Sequence, residues 1–290
     1  AASIRNPLHI VKAAEAGANY IKFQNFHSES LVTASAELAE YQKFSQPQAK
    51  TQQAMLKSLE LNKTDLQELI KHAKKYNISF LSTAFDIDSL NMLSSFNPKI
   101  YKIPSGEINN FQYLTHIGSL AEKLILSTGM STIQEVASAL DVLISSGMNK
   151  DDITILHCNT AYPTPISDVN LKAMLTIKKE FNVSVGYSDH TLGIEIPIAA
   201  VALGAKVIEK HITLDRTMQG PDHQASLEPI EFKNMVSSIR NIEMAMGDGV
   251  KKPSQSEKPN ILIARRSLVA ARRISKGSIF QNEDITSKRP

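Results

Sequence analysis

The sequence predicts an α/β protein built as a (β/α)8 barrel, and two observations lead to that fold class. Short apolar strands near residues 20, 78, 100, 124, 153, 184 and 207 alternate with helical segments, which favours a parallel sheet. Polar residues follow every strand, as in a barrel, and no glycine-rich nucleotide turn is present. An open doubly wound sheet is the alternative. The chain opens inside a predicted helix without an initiator Met, so we expect the first strand of the barrel to be missing from this sequence.

The strands are predicted from short apolar runs that end in polar, Gly or Pro residues. They cover Tyr20–Gln24, Ile78–Thr83, Ile100–Ser105, Leu124–Gly129, Ile153–Cys158, Val183–Tyr187 and Val207–Lys210.

The helices are predicted from apolar residues at helical spacing. They cover Leu8–Ala16, Leu61–Tyr76, Asp86–Leu93, residues 111–121, a segment ending near Ser146, Leu171–Phe181, Ile194–Leu203 and Pro229–Ala245. Asn62 or Thr64 is expected to cap the second helix, and Ser131 or Thr132 the fifth.

Residues 27–53 are polar and irregular, and we expect a long loop over the site.

The chain is predicted to contain two domains. Residues 1–246 form the barrel, residues 247–260 form a linker rich in Gly, Pro, Lys and Ser, and residues 261–290 alternate as strands do.

Composition narrows the function classes. Hydrophobic residues make up 42% of the 290 residues, charged residues 21%, and the net charge is only +3, which is ordinary for a globular enzyme. No basic stripe indicates nucleic acid, and no apolar run is long enough to cross a membrane. Cys158 is the only cysteine, so we expect a reducing compartment, the cytoplasm.

Two histidines indicate a metal site. His190 follows one predicted strand and His211 ends the next. Because a strand–helix–strand unit makes the two strands parallel neighbours, both histidines lie at the same edge of the sheet. A single histidine there is more often structural, but two imidazoles can share one metal ion and leave positions open for a substrate.

Cationic and hydroxyl side chains follow the other strands. A hydroxyl group alone is more often a cap or turn residue, yet several converging on one edge form a plausible phosphate cradle. The candidates are Lys22, Lys102, Thr83, Ser105, Ser127 and Ser188.

Three separated motifs carry a family resemblance. They are Gly186-Tyr-Ser-Asp-His-Thr-Leu-Gly193, Ile208-Glu-Lys-His211 and Gly220-Pro-Asp-His with Ser226-Leu-Glu-Pro229. In this order they resemble the N-acetylneuraminate (sialic acid) synthase family, which condenses phosphoenolpyruvate with an N-acetylated mannose-type sugar. The resemblance extends over nearly the whole chain. It implies a barrel followed by an antifreeze-like SAF domain, whose start matches residues 261–290.

The resemblance also implies roles for individual residues. Lys22, Lys102, Ser105, Ser127 and Ser188, with Thr83, match contacts to phosphoenolpyruvate. His190 and His211 match the ligands of a catalytic Mn2+ or Mg2+. Gln24, Tyr162 and Asp222 match positions near the sugar, and Arg289 matches an arginine that reaches the sugar of a partner subunit, which implies a domain-exchanged homodimer.

Some positions depart from the family pattern or carry no clear role. The asparagine before the Tyr-Pro motif is displaced here, so the sugar contact falls on Asn159 or Thr160. Glu107 is the candidate for proton transfer. We expect structural roles for His157 and His223, and burial without catalysis for Cys158.

Alternative functions remain open at this point. A Schiff-base aldolase would use Lys102 or Lys210 as its amine, and a non-catalytic barrel would bind a sugar or phosphate only.

Within the family, the segments Ile103–Glu107 and His157–Thr160 resemble the corresponding segments of legionaminic acid synthases, which use 2,4-diacetamido-2,4,6-trideoxymannose. N-acetylmannosamine is the competing sugar, and pseudaminate synthases are less similar in the Gly220-Pro-Asp loop.

Overall fold

The computed structural model describes residues 6–38, 51–220 and 222–290, and the chain divides into two compact units, residues 1–245 and 246–290. The first unit contains a parallel sheet of seven strands whose spatial order follows the chain. The strands are β1 (Tyr20–Asn25), β2 (Ser79–Ala84), β3 (Tyr101–Ile103), β4 (Leu124–Ser127), β5 (Ile153–Cys158), β6 (Ser184–Asp189) and β7 (Ile208–Lys210). All seven predicted strands are confirmed.

Ten helices of the described residues belong with this sheet. They are α1 (Leu8–Glu15), α2 (Ser28–Leu31), α3 (Gln52–Lys57), α4 (Lys63–Lys75), α5 (Ile87–Ser94), α6 (Phe111–Leu120), α7 (Ile133–Ser145), α8 (Leu171–Phe181), α9 (Glu195–Ala202) and α10 (Pro229–Met246).

The prediction of one long loop over residues 27–53 is wrong at both ends, because α2 and α3 lie there; residues 39–50 are outside the described residues. Thr51 caps α3 by accepting a hydrogen bond from Ala54 N at 3.2 Å. Glu60 accepts hydrogen bonds from Ser28 N and Oγ at 2.7 and 2.6 Å. One of these polar contacts is local and the other joins residues far apart in the chain. Together they stabilise helical turns in a segment whose apolar pattern predicts none.

Two helices start at a reciprocal capping box. Asn62 accepts from Asp65 N while Asp65 accepts from Asn62 N at the start of α4. Thr132 and Glu135 exchange the same contacts at the start of α7. Of the alternative caps, the structure therefore selects Asn62 and Thr132, and each box satisfies amide groups that the helix leaves without partners.

The main core lies between the sheet and the surrounding helices, and it includes fully buried residues such as Leu114, Leu126 and Ile155. Gly186 marks a point where β6 and β7 approach closely. A Cβ atom at this position would lie 2.2 Å from the Val207 carbonyl oxygen and 2.6 Å from Leu156 Cδ2. Only glycine lets the two backbones come this close.

The sheet curls until its first and last strands face each other. Within the described residues β1 and β7 share no backbone pairing, yet Lys22 Nζ of β1 lies 3.5 Å from Glu209 Oε1 of β7. A cavity of about 500 Å³ separates these strands and is lined also by α1 and α10. An eighth strand at this seam would close the barrel, so the observed sheet is barrel-like and open at one seam.

The second unit contains α11 (Lys258–Ala264) and a two-stranded antiparallel sheet of β8 (Ser267–Ala270) and β9 (Ile285–Lys288). Arg272 Nε donates to Asp284 Oδ1 at 2.5 Å next to this sheet. Helix α11 begins inside the segment predicted as a linker. Across the described parts of both units, no helix combines the length and apolarity needed to cross a membrane.

Candidate active site

Charged side chains from opposite sides of the sheet meet on its inner face. Lys102 Nζ in β3 donates to Ser127 Oγ at 2.6 Å and lies 3.9 Å from Glu209 Oε2. Lys22 Nζ is 3.5 Å from the other oxygen of the same carboxylate, which also accepts from Ser188 Oγ at 3.3 Å. The structure thus brings together four of the residues predicted to bind phosphoenolpyruvate.

Glu209 sets the charge balance of this cluster. Burial alone would raise the pKa of the Glu209 carboxyl, but Lys102 and Lys22 outweigh it and lower the pKa to about 2. Burial lowers the pKa of Lys102, and the Glu209 carboxylate opposes that change. The ionised carboxylate therefore offsets one of the two lysine charges and leaves the cluster with a net positive charge.

Hydroxyl groups line the same edge. The Thr83 Oγ1 atom is buried and has no hydrogen-bond partner among the described residues. Because Thr83 pairs in register with Gln24 on one side and Lys102 on the other, its side chain faces the lysine cluster. A buried hydroxyl without a partner costs free energy, which a bound ligand oxygen would recover.

Ser105 extends this wall from the turn after β3. Its Oγ accepts from Gly129 N at 2.9 Å and lies 3.3 Å from Cys158 Sγ. A side chain at Gly129 would come within 2.6 Å of Thr160 Cγ2. Ser105, Thr160 and the backbone of Gly129 therefore pack tightly together, and Cys158 is buried as expected.

The two predicted metal-binding histidines lie side by side. The ring centroids of His190 and His211 are 5.2 Å apart and the rings are nearly perpendicular. The Tyr162 ring contacts both, at 4.1 Å from His190 and 5.7 Å from His211. Asp222 Oδ2 lies 3.7 Å from His211 Nδ1, so two residues predicted near the sugar flank the histidine pair.

The protonation of these histidines suits metal binding. Burial lowers the pKa of His190 to about 4, with His211 adding to the effect, and burial with nearby Lys22 lowers the pKa of His211 to about 4. Both imidazoles are neutral at pH 7. His190 Nδ1 lies 2.5 Å from the Asn159 carbonyl oxygen; because that oxygen can only accept, Nδ1 carries the proton and Nε2 keeps a free lone pair.

A divalent metal ion fits this donor set with most of its coordination left open. Within residues 6–38, 51–220 and 222–290, no group of three or more His, Cys, Asp and Glu side chains is arranged to hold a metal. The residues that would hold the ion are His190 and His211, through their neutral imidazole nitrogens.

Four other residues were predicted to act in the site. Asn159 Oδ1 accepts from Ala161 N at 2.7 Å, and Gln24 lines the cavity at the β1–β7 seam. Glu107, in the turn after β3, accepts from Asn110 Nδ2 at 2.7 Å, and burial raises the pKa of its carboxyl. Arg289 follows β9 in the second unit. The roles of these four residues stay predictions.

The two histidines expected to be structural have structural contacts. His157 Nε2 lies 2.9 Å from the Val169 carbonyl oxygen. His223 Nδ1 lies 2.7 Å from Thr213 Oγ1, which ties the loop after β7 to itself.

Sequence reasoning assigned no role to Glu209. The signal that could have found it is the alternation of side chains along a strand. Glu209 and His211 are two residues apart at the end of β7, so both face the same side as the lysines. An acidic residue in that position, next to predicted phosphate-binding lysines, indicates a partner for them.

The fold and this edge of the sheet define a class of protein: a barrel-like α/β protein with a largely buried lysine cluster beside a pair of neutral histidines. A family model described as the NeuB family matches residues 9–251. The chain belongs to the NeuB family, which confirms the resemblance inferred from its three motifs.

Similar proteins are sugar-acid synthases. The chain is 52% identical to N,N'-diacetyllegionaminic acid synthase of Campylobacter jejuni, over 96% of this chain and 83% of that protein. It is 47% identical to the enzyme of the same name from Legionella pneumophila, over 97% of this chain and 80% of that protein. The crystal structure of N-acetylneuraminic acid synthetase from Leptospira borgpetersenii in complex with citrate matches with a TM-score of 0.75 and 34% identity, covering 90% of this chain and 85% of that one.

Proposed function

We propose that this protein condenses phosphoenolpyruvate with an N-acetylated mannose-type sugar to give a nine-carbon 2-keto acid and inorganic phosphate. The observation that carries the proposal is the meeting of Lys22 and Lys102 with the unpartnered hydroxyl of Thr83, beside His190 and His211. The first group suits the phosphate and carboxylate of phosphoenolpyruvate. The second suits the oxygens of an open-chain sugar.

The reaction forms one carbon–carbon bond and breaks one carbon–oxygen bond. C3 of phosphoenolpyruvate attacks the aldehyde carbon of the sugar, water adds to the cationic C2, and the C2–O bond to phosphate then breaks. Lys22 and Lys102 stabilise the phosphate charge throughout, and Ser127 orients Lys102. A divalent metal ion, Mn2+ or Mg2+, held by His190 and His211, would supply Lewis-acid polarisation of the aldehyde oxygen.

Two carboxylates are placed to manage charge and protons. Glu209 is ionised and lies against the phosphate-binding lysines, so it stabilises positive charge at C2, and the proton of the attacking water leaves with the departing phosphate. Glu107, whose pKa is raised by burial, is the candidate for returning a proton to the sugar oxygen.

The sugar we propose is 2,4-diacetamido-2,4,6-trideoxymannose, which makes the product a legionaminic acid. The support is the identity of 52% and 47% to two proteins named N,N'-diacetyllegionaminic acid synthase, against 35% to a protein named pseudaminic acid synthase. N-acetylmannosamine is the competing substrate. A product of either kind would serve a bacterial surface glycan, made in the cytoplasm.

We infer further that the second unit is the start of an SAF domain and that Arg289 completes the sugar site of a partner subunit, giving a domain-exchanged homodimer. Mixing two inactive variants tests this exchange. Arg289→Ala and His190→Ala proteins are each expected to be inactive, and a dissociated and reassociated mixture should recover about a quarter of the wild-type sites, as random pairing of subunits requires. No recovery, or a monomer by sedimentation, would contradict the exchange.

A Schiff-base aldolase is less well supported by the contacts of its candidate amines. Lys210 Nζ is fully buried and lies 2.6 Å from Asp189 Oδ2, and Lys102 Nζ donates to Ser127 Oγ. Both amines are held as ion-paired donors, whereas a Schiff base needs a free lone pair. Borohydride with pyruvate should therefore leave no adduct on this protein.

The test is phosphate release from phosphoenolpyruvate with MnCl2, offering the diacetamido sugar and N-acetylmannosamine in parallel. Release with the diacetamido sugar, abolished by EDTA and restored by excess MnCl2, is the expected result. Release with N-acetylmannosamine alone would correct the sugar and keep the reaction. No release with either sugar, together with measurable binding of phosphoenolpyruvate, would support the non-catalytic binding barrel instead.

A further inference from the structure

A buried ion pair lies directly behind the two histidines. Asp189 is the last residue of β6 and Lys210 the last of β7, and the two are register partners in the sheet. Each precedes a histidine by one residue, so the pair points to the opposite face of the strands from His190 and His211. Both side chains are 0% exposed, and Lys210 Nζ lies 2.6 Å from Asp189 Oδ2.

Thr191 joins this pair and fixes the backbone on both sides of His190. Asp189 Oδ1 accepts from Thr191 N at 3.1 Å and from Thr191 Oγ1 at 2.9 Å. Lys210 Nζ donates to the Thr191 carbonyl oxygen at 2.5 Å. The residue before His190 and the residue after it are thus both tied to the end of the neighbouring strand.

The end of β7, which is followed by His211, has few backbone contacts to hold it in place. Strand β7 has only three residues, and among the described strands it pairs with β6 alone. Within the described residues, backbone support on its other edge comes just after β7, where the His211 carbonyl oxygen accepts from Leu227 N at 3.0 Å and Ile212 forms a single bridge with Leu227. Two side-chain contacts link the ends of β6 and β7. Ser188 Oγ donates to Glu209 Oε1 at 3.3 Å, and the shorter Asp189–Lys210 contact, at 2.6 Å, involves the residues that directly precede His190 and His211.

Stability alone explains the pair poorly. Removing two charges from water costs about as much as their attraction returns, and well-packed apolar residues often replace a buried ion pair without loss. Apolar side chains in contact have no preferred orientation relative to each other. An ion pair with several defined hydrogen bonds fixes the relative position of the groups that carry it.

We propose that Asp189 and Lys210 are positioning residues that hold His190 and His211 at the separation at which both bind one divalent metal ion. The proposal rests on the metal site of the proposed function. It assigns neither residue a contact with substrate or metal, and it extends the support of the histidines beyond the Asn159 carbonyl group. Support of this kind governs metal affinity by about 10- to 100-fold in other sites.

The test is Mn2+ binding by the EDTA-treated full chain, measured from the electron paramagnetic resonance signal of free Mn2+ and needing no turnover. The variant is the double substitution Asp189→Leu with Lys210→Met, which removes both charges and keeps similar volume. Its melting temperature should stay within about 5 °C of wild type, because no unpaired charge is left. Its Kd for Mn2+ should rise about 10- to 100-fold.

A matched control separates positioning from general loss of stability. Tyr113 is fully buried and donates to the Ala84 carbonyl oxygen at 2.8 Å, far along the sheet from β6 and β7. Tyr113→Phe should lower the melting temperature and leave the Kd for Mn2+ unchanged. Thr191→Val removes one hydroxyl at constant volume and should fold normally. It should still raise the Kd for Mn2+ about threefold or more, which is the effect expected from the loss of one hydrogen bond.

Each outcome decides the proposal. Wild-type affinity in the double variant, or in Thr191→Val if the double variant does not fold, overturns the positioning role and leaves the metal site standing. Wild-type protein that binds no Mn2+, or whose binding survives His190→Ala, overturns the metal site and the positioning role with it. Weaker binding in the charge-free variant at normal stability supports both.

Discussion

Glu209 Oε1 lies 3.5 Å from Lys22 Nζ, although the two residues belong to the last and first strands of the sheet. This contact joins strands that share no backbone pairing within the described residues. It also places a carboxylate against the cations that are proposed to bind phosphate. Glu209 therefore offsets one of the two lysine charges in the free protein, and its carboxylate would repel an incoming anion.

Replacing Glu209 should separate binding from turnover. Glu209→Gln removes the repulsion between the carboxylate and an incoming phosphate, so KM for phosphoenolpyruvate should fall about tenfold. It also removes the charge that stabilises the cation at C2, so kcat should fall at least about 100-fold. Steady-state kinetics measure both, with Glu180→Gln on the surface of α8 as the control. Unchanged kcat would make Glu209 a structural residue only.

Replacing Lys102 should weaken binding of phosphoenolpyruvate. Lys102→Met removes a buried cation that is oriented by Ser127, and charged hydrogen bonds of this kind are worth about 1.5–3 kcal/mol. KM should rise about 10- to 100-fold. The control is Lys172→Met, an exposed lysine at the start of α8, which should leave KM at the wild-type value. Equal effects of the two substitutions would argue for a general effect of net charge.

Gly186 should tolerate no side chain. Gly186→Ala places a methyl group 2.2 Å from the Val207 carbonyl oxygen, and moving backbone apart in a packed sheet should cost at least about 3 kcal/mol. Urea unfolding followed by circular dichroism measures the loss. Gly106→Ala, where nothing lies within 4 Å of the added atom, should change the free energy of unfolding by less than about 0.5 kcal/mol. Similar values for both would contradict the close approach of β6 and β7.

The metal-free protein should lose stability below pH 6.5. Burial lowers the pKa of His157 below its ordinary value of 6.5. Just below pH 6.5 the unfolded state therefore binds a proton at this histidine that the folded state does not bind. The free energy of unfolding should then be highest above pH 6.5 and fall as the pH drops, by up to about 1.4 kcal/mol per pH unit for each such histidine.

His157→Gln isolates the contribution of one residue to this pH dependence. The substitution removes the titrating ring. The free energy of unfolding, measured in urea, should therefore fall less between pH 7.5 and pH 5.5 than it does in wild type. The difference corresponds to the uptake of at most one proton on unfolding. Tyr113→Phe, which alters a buried side chain but removes no histidine, is the control and should keep the wild-type slope. An unchanged slope in His157→Gln would show that His157 is protonated in the folded protein.

Local pattern predicted much of this protein. The apolar runs gave all seven strands of the sheet within a few residues, because a buried strand needs such a run wherever it lies in the chain. Placing His190 and His211 at the same edge followed from the parallel order of adjacent strands. The helices α2, α3 and α11 were not predicted, since each is too short to show an apolar repeat at helical spacing.

The sequence by itself determined the family, the order of strands and the edge at which the site lies. Only the tertiary structure decided that Glu209 lies between Lys22 and Lys102, that the Tyr162 ring contacts both histidines, and that Asp189 pairs with Lys210 behind them. The physical reason is that strand patterns are local, whereas these contacts depend on how far the sheet curls. That curl brings together β1 and β7, which are separated by nearly the whole length of the first unit.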